Sequence, residues 1–121
     1  MQYRYSGDRV MNLAAIDIGT NSCRLLVSRV FINPQKRSYL KFNTSPITWK
    51  SIDSFCRIVK LGEGLTKTGV LDQAAIQRTL DALHICYKKI CYYRVSHLRI
   101  VATEACRQAQ NTGDLVRAVR S

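Results

Sequence analysis

The stretch from Leu13 to Val30, LAAIDIGTNSCRLLVSRV, constrains this chain more than any other. A short apolar run, Leu13-Ala14-Ala15-Ile16, leads into Asp17-Ile18-Gly19-Thr20-Asn21-Ser22, and a second apolar run, Leu25-Leu26-Val27, follows at once. Each run is too short for a typical helix and turn residues lie between them, which reads as strand, tight turn, strand. Gly19 accepts left-handed backbone without steric penalty, and Asn21 tolerates it better than most residues. A turn of this kind can aim successive backbone N–H groups one way, as a nest for an anion. Thr20 and Ser22 add hydroxyl donors. Asp17, at the end of the first strand, would repel an anion; its sensible task is to hold a divalent cation that bridges to phosphate oxygens. A plain hairpin turn with Asp17 as a solvated carboxylate is the competing reading, because the same residues dominate turns for purely local reasons.

The rest of the composition narrows the class. A chain of 121 residues that is 46% hydrophobic and 22% charged fits one globular domain. It contains no apolar run long enough to span a membrane. Residues 1–12, MQYRYSGDRVMN, lack an apolar signal core and read as a poorly ordered leader, with Met11 as an internal start; 13–121 is the domain. The five cysteines are odd in number and form no Cys-x-x-Cys pair, which argues against a disulfide framework or zinc site and for a reducing cytoplasm. Cys86 and Cys91 read as partly buried helix residues. A net charge of +11 favours polyanionic partners, nucleic acid and phosphate polymers alike.

Further along, Asn33-Pro34 marks a turn. Residues 39–50, YLKFNTSPITWK, read as an edge strand or loop because of Pro46, their aromatics as cover for a sheet face. A strand is expected over Phe55–Leu61, then a mobile loop, Gly62-Glu63-Gly64-Leu65-Thr66-Lys67-Thr68-Gly69. Asp72 suits a helix N-cap, and Leu71 can staple against Ile76. Ile76, Leu80, Leu83, Tyr87 and Ile90 form one apolar stripe, so a helix is expected over 73–93. Leu98–Ala102 reads as a strand. Helical patterns follow from Thr103 and, after Asn111-Thr112-Gly113, from Asp114.

A helix over 73–93 can cross over and lay strand 98–102 parallel to strand 13–18. Ligands of such sheets sit beyond the carboxyl ends of the parallel strands. Asp17 to Ser22 and Thr103 to Arg107 would then face one crevice. Thr103 sits where a helix begins, with free N–H groups beside it, and Arg107 can fork onto phosphate oxygens. The bland alternative makes Thr103 only a cap and Arg107 only a surface cation.

Three blocks together resemble the exopolyphosphatase / guanosine pentaphosphate phosphohydrolase (Ppx/GppA) family. They are Ala15-Ile16-Asp17-Ile18-Gly19-Thr20-Asn21-Ser22-Cys23-Arg24-Leu25, then Val59-Lys60-Leu61-Gly62-Glu63-Gly64-Leu65 with Thr68-Gly69-Val70-Leu71, then Val101-Ala102-Thr103-Glu104-Ala105-Cys106-Arg107-Gln108-Ala109. The resemblance implies an α/β fold of the actin-like, ribonuclease-H type, here its N-terminal part. It implies Mg²⁺-dependent release of terminal phosphate from polyphosphate or guanosine pentaphosphate in the cytoplasm. By position, Asp17 would belong to the metal site. Gly19, Thr20, Asn21, Ser22, Thr103 and Arg107 would contact phosphate, and Gly62, Glu63 and Gly64 would form a loop near the cleft. The family's paired-glutamate helix, which supplies the proposed catalytic base, and its second glycine-rich loop of D-x-G-G-G-S type do not occur before Ser121. The expectation is therefore a truncated first lobe, inactive alone and inclined to pair with a partner chain or a second copy. A non-catalytic polyphosphate- or alarmone-binding module is the alternative. A nucleic-acid-binding domain ranks last, since no helix-turn-helix, zinc or aromatic RNP signature is present.

Overall fold

The computed structural model describes residues 9–33 and 46–102. In it the alternation of apolar and polar residues around the opening motif builds a hairpin of β1 (Arg9–Ile18) and β2 (Ser22–Ile32), paired in continuous register from Arg9↔Ile32 to Ile18↔Cys23. β1 therefore takes in Arg9 to Asn12, which the sequence reading assigns to a leader; residues 1–8 of that leader lie outside the described residues. The strand extends because Arg29 Nε donates to Asn12 Oδ1 at 3.2 Å and Asn12 Nδ2 donates to the Tyr93 carbonyl at 2.6 Å, so its polar start has partners.

β3 (Ile47–Ile58) pairs antiparallel with β2 and is twelve residues long, against the seven expected over 55–61. Val27 faces Asp53 and Ser28 faces Ser51, so Ile52 is the extra residue of a β-bulge. The bulge lets the strand carry on past a break in alternation. Trp49 does not cover the sheet: it is 80% exposed. Val59 and Leu61, read as strand, lie beyond β3 and are fully buried.

The glycine-rich stretch contains a one-turn helix, α1 (Leu65–Thr68). Gly64 and Gly69 flank it at φ 78° and 72°, left-handed backbone in which a side chain would be strained. Gly69 N closes the turn on the Leu65 carbonyl at 2.8 Å. The stretch is thus a capped turn rather than an irregular loop.

α2 (Gln73–Tyr92) starts as its sequence requires: Asp72 is the N-cap, its carboxylate accepting from Ala74 N at 3.4 Å. Leu71 and Ile76 both join the core. The buried row is Ala75, Ile76, Thr79, Ala82 and Cys86, one position off the bulky stripe that spacing suggests. Leu80, Leu83 and Ile90 flank it half-buried, and Tyr87 is exposed. Small side chains let the helix approach the sheet closely, so the larger ones fill the sides. The Thr79 hydroxyl is satisfied by the Ala75 carbonyl at 2.9 Å. The sheet contributes Ala14, Ile16, Ile18, Cys23, Leu25 and Val27 from the facing side of β1 and β2.

Arg94, at φ 50°, takes the left-handed position that ends the helix, and Val95 N donates back to the Ile90 carbonyl at 3.1 Å. β4 (His97–Ala102) then runs parallel to β1, from Leu13↔His97 to Ile18↔Ala102, and completes the order β3-β2-β1-β4. The crossover and parallel strand expected from the sequence are both present. The helical patterns from Thr103 onward lie outside the described residues, as does most of 31–46.

Candidate functional site

Parallel pairing puts the carboxyl ends of β1 and β4 at one edge of the sheet, Ile18 beside Ala102. The turn Gly19-Thr20-Asn21 opens from that edge. It does not use left-handed backbone: among the described residues positive φ falls at Lys60, Gly64, Gly69 and Arg94, not at Gly19 or Asn21.

Hydrogen bonds to the segment after β3 shape the turn instead. Gly19 N donates to the Ser22 carbonyl at 2.8 Å. The Asn21 carbonyl accepts from Val59 N at 2.8 Å and Lys60 N at 3.0 Å, and the Thr20 carbonyl accepts from Gly62 N at 2.9 Å. In a trans peptide the N–H points opposite to the preceding carbonyl. With the carbonyls of Thr20 and Asn21 turned inward, the N–H groups of Asn21 and Ser22 point outward. Thr20 and Asn21 are exposed and Ser22 is half-buried.

Gly62 lets its segment approach the turn closely. A Cβ there would lie 2.5 Å from Thr20 Cγ2. The structure thus brings Gly19, Thr20, Asn21 and Ser22 together with Gly62, and the exposed Glu63 and Gly64 follow directly. Glu63 is held by Arg78, whose Nη2 lies 3.0 Å from its carboxylate. The same arginine donates through Nε to the Val59 carbonyl at 2.8 Å and through Nη2 to the Lys60 carbonyl at 3.4 Å. Arg78, an off-stripe residue of α2 by its spacing, is therefore the clamp that fixes the segment supporting the turn. Its sequence signal is slight: an arginine in the second turn of a helix that follows a glycine-rich stretch.

Asp17 is exposed on the sheet face opposite α2, with Arg24 of β2 and Val101 of β4 as its register neighbours. It edges a shallow groove of about 610 Å³ whose lining also includes Arg24, Leu26, Ser54 and Cys56. Among the described residues no three His, Cys, Asp or Glu side chains gather to hold a metal. Asp17 is a single exposed carboxylate, and Mg²⁺ keeps most of its waters and takes one or two carboxylates plus phosphate oxygens. Thr103 and Arg107 lie outside the described residues.

Behind the turn, Cys23 of β2 and Cys86 of α2 are both fully buried free cysteines. The Cys86 side chain and burial push the Cys23 thiol up, while the Cys23 side chain draws that of Cys86 down.

A three-stranded antiparallel meander, a crossover helix and a parallel fourth strand, with a polar turn at the carboxyl edge, define the first lobe of an actin-like domain. The Ppx/GppA phosphatase family model matches residues 46–121, so the chain belongs to the Ppx/GppA phosphatase family. It is 38% identical over 108 residues to a bifunctional 3-dehydroquinate synthase/phosphatase of Fusobacterium nucleatum, covering 88% of this chain and 15% of that one. It is 33% identical over 99 residues to exopolyphosphatase 2 of Mycobacterium tuberculosis, covering 82% and 28%. The crystal structure of the Aquifex aeolicus family member superposes with a TM-score of 0.77 at 29% identity, covering 93% of this chain and 32% of that one. The chain thus spans less than a third of the length of these relatives. No described helix is long and apolar enough to cross a membrane.

Proposed function

We propose that residues 17–22 form one wall of the phosphate site of a Mg²⁺-dependent phosphoanhydride hydrolase that releases terminal phosphate from inorganic polyphosphate or guanosine pentaphosphate. One observation carries the reading: at the carboxyl edge of β1 the carbonyls of Thr20 and Asn21 are taken up by Val59, Lys60 and Gly62, which turns the N–H groups of Asn21 and Ser22 away from that segment. Outward N–H groups on consecutive residues suit a phosphate oxygen. The hydroxyls of Thr20 and Ser22 add donors. Asp17 holds the cation, which when bound neutralises phosphate charge. Thr103 and Arg107 follow β4 in sequence, and we assign them to the same phosphate. Gly62, Glu63 and Gly64 keep the turn in place rather than touch the substrate, because Glu63 is engaged by Arg78.

Phosphoryl transfer needs charge neutralisation from both sides of the phosphate and a positioned water. The paired glutamates and the D-x-G-G-G-S loop do not occur within these 121 residues. We therefore assign phosphate binding without appreciable turnover to the chain as it stands.

The test is a titration of the ¹⁵N-labelled chain with Mg²⁺ and tripolyphosphate, alongside a phosphate-release assay. Amide signals of residues 19–22 should move first and phosphate release should stay at background. Shifts clustered away from 17–22 would remove the site, and vigorous Mg²⁺-dependent release would refute the division of labour.

A further inference from the structure

The Ser22 N–H belongs to a peptide group whose oxygen is already engaged. That oxygen, on Asn21, accepts from Val59 N at 2.8 Å and from Lys60 N at 3.0 Å. The Lys60 N–H belongs in turn to the peptide group whose oxygen is on Val59, and this oxygen accepts from Arg78 Nε at 2.8 Å. One line of donors and acceptors therefore runs from the guanidinium on α2, through two peptide groups, to the Ser22 N–H. We propose that Arg78 is a positioning residue for phosphate: through these two peptides in series it fixes the direction in which the Ser22 N–H meets the anion. The inference rests on the assignment of residues 19–22 to a phosphate site.

Lys60 is where the line needs support. Its φ of 49° is left-handed backbone, which a residue with a side chain adopts against steric resistance. Arg78 holds the oxygens on both sides of this residue. Nε takes the Val59 carbonyl before it, and Nη2 takes the Lys60 carbonyl after it at 3.4 Å. Glu63 N adds a second bond to the Lys60 carbonyl at 3.0 Å. Because peptide groups are planar, holding the two that flank a Cα constrains its φ and ψ together. The Lys60 N–H then stays aimed at Asn21. The task suits arginine, whose planar fork offers several donors at once, better than lysine, whose ammonium is a point donor. Glu63, 3.0 Å from Nη2, steadies the fork from its far side.

The arginine thus acts through the backbone and not by touching the ligand. Along this route it stands roughly 10 Å from an oxygen bound at Ser22, about one Debye length at 0.1 M salt, so its direct attraction is largely screened. What the anion receives is a fixed donor, strengthened because bonds in line polarise one another. The effect persists when salt is raised, whereas that of a cation in contact with phosphate fades.

The ¹⁵N-labelled chain is titrated with Mg²⁺ and tripolyphosphate at low and at high salt, as the parent, Arg78→Ala, Arg78→Lys and Lys88→Ala. Lys88 is an exposed cation of the same helix and controls for the loss of one charge. Arg78→Ala should bind about tenfold more weakly at both salt concentrations. Arg78→Lys should regain part of the loss, and Lys88→Ala should stay within about twofold of the parent. Before any ligand is added, the Lys60 and Ser22 amide proton signals of Arg78→Ala should move upfield, the direction expected when the bonds along their peptides weaken. Those of Met11 and Val30, at the far end of the hairpin, should stay. An arginine that served stability alone would leave the Ser22 signal and the affinity of the folded chain unchanged. Should Arg78→Ala fold poorly, Arg78→Lys carries the test, with an expected loss of about threefold and the same two signals moved. Equal affinities with unmoved signals would overturn the proposal, and so would a loss confined to low salt, which would make Arg78 a direct phosphate contact. A parent chain in which tripolyphosphate moves no signal at 19–22 removes the phosphate site itself, a failure seen without any variant.

Discussion

Replacing Gly62 by alanine tests whether the turn is held by contact rather than by its own backbone preference. The new Cβ would sit 2.5 Å from Thr20 Cγ2, with the Thr20 carbonyl oxygen at 3.6 Å and its Cβ at 3.7 Å. Carbon atoms prefer about 3.5–4.0 Å, so only the methyl is in conflict, by roughly an ångström or more. The backbone and Cβ of Thr20 are already at ordinary distances. Two escapes exist: Thr20 can leave its rotamer, or the turn can lift and stretch the 2.9 Å bond from Gly62 N to the Thr20 carbonyl. Either outcome is an overpacking cost of about 1–3 kcal/mol. Urea unfolding of the chain should show a lower midpoint for Gly62→Ala at unchanged slope. The decisive measurement is the double variant. Thr20→Ser removes the offending methyl and keeps the hydroxyl, so Thr20→Ser with Gly62→Ala should regain most of the loss, a coupling of at least about 1 kcal/mol. A Gly62→Ala chain as stable as the parent, or a double variant no better than the single one, would refute the argument that this glycine exists for close approach.

Three further outcomes follow from named contacts. Arg78→Ala deprives the carbonyls of Val59 and Lys60 of a charged donor and should cost about 1–3 kcal/mol in urea unfolding. Glu63→Gln loses only an exposed ion pair and should cost less than about 1 kcal/mol, so equal losses would mean that the clamp works through charge alone. Asp53 accepts from Lys89 at 2.8 Å and Tyr93 at 3.0 Å, and these bonds, with that from Ser54 N, hold its carboxyl below the usual carboxylate range. A depressed folded-state pKa contributes stability that is present above the unfolded value, near 3.9, and fades as pH falls through the folded one. Thermal midpoints should therefore fall below about pH 4 in the parent, and Asp53→Asn should flatten that part of the profile.

The hairpin, the N-cap at Asp72 and the crossover to a parallel strand were legible because each follows from local pattern: alternation, one capping side chain, one amphipathic run. What stayed hidden depends on distant partners. Nothing near Ile52 announces a bulge, so β3 looked half its length. Ala75, Thr79 and Ala82 lie off the bulky stripe and Cys86 reads as only partly buried, yet they make the face that meets the sheet, because closeness of approach rather than side-chain bulk set the packing. Arg78 gave no sign of its role, since its acceptors are backbone carbonyls 18 and 19 residues away. In the candidate site, Gly19 and Asn21 suggested a turn made by left-handed backbone. The strain-free glycine that matters most is Gly62, forty residues on, and its reason is visible only beside Thr20.

The sheet order also sets an order of assembly. β1 finds β2 across a tight turn, but its pairing with β4 joins Leu13 to His97, and closing so long a loop costs far more chain entropy. The meander β1-β2-β3 and the latch from Val59 and Gly62 onto the turn need only the first half of the chain. During synthesis from the N-terminus, the turn at residues 19–21 can therefore be shaped before α2 exists to cover the apolar side of the sheet, and before β4 exists to close β1. In that interval an apolar sheet face and one edge of β1 stand open, the surfaces through which a nascent chain misassociates.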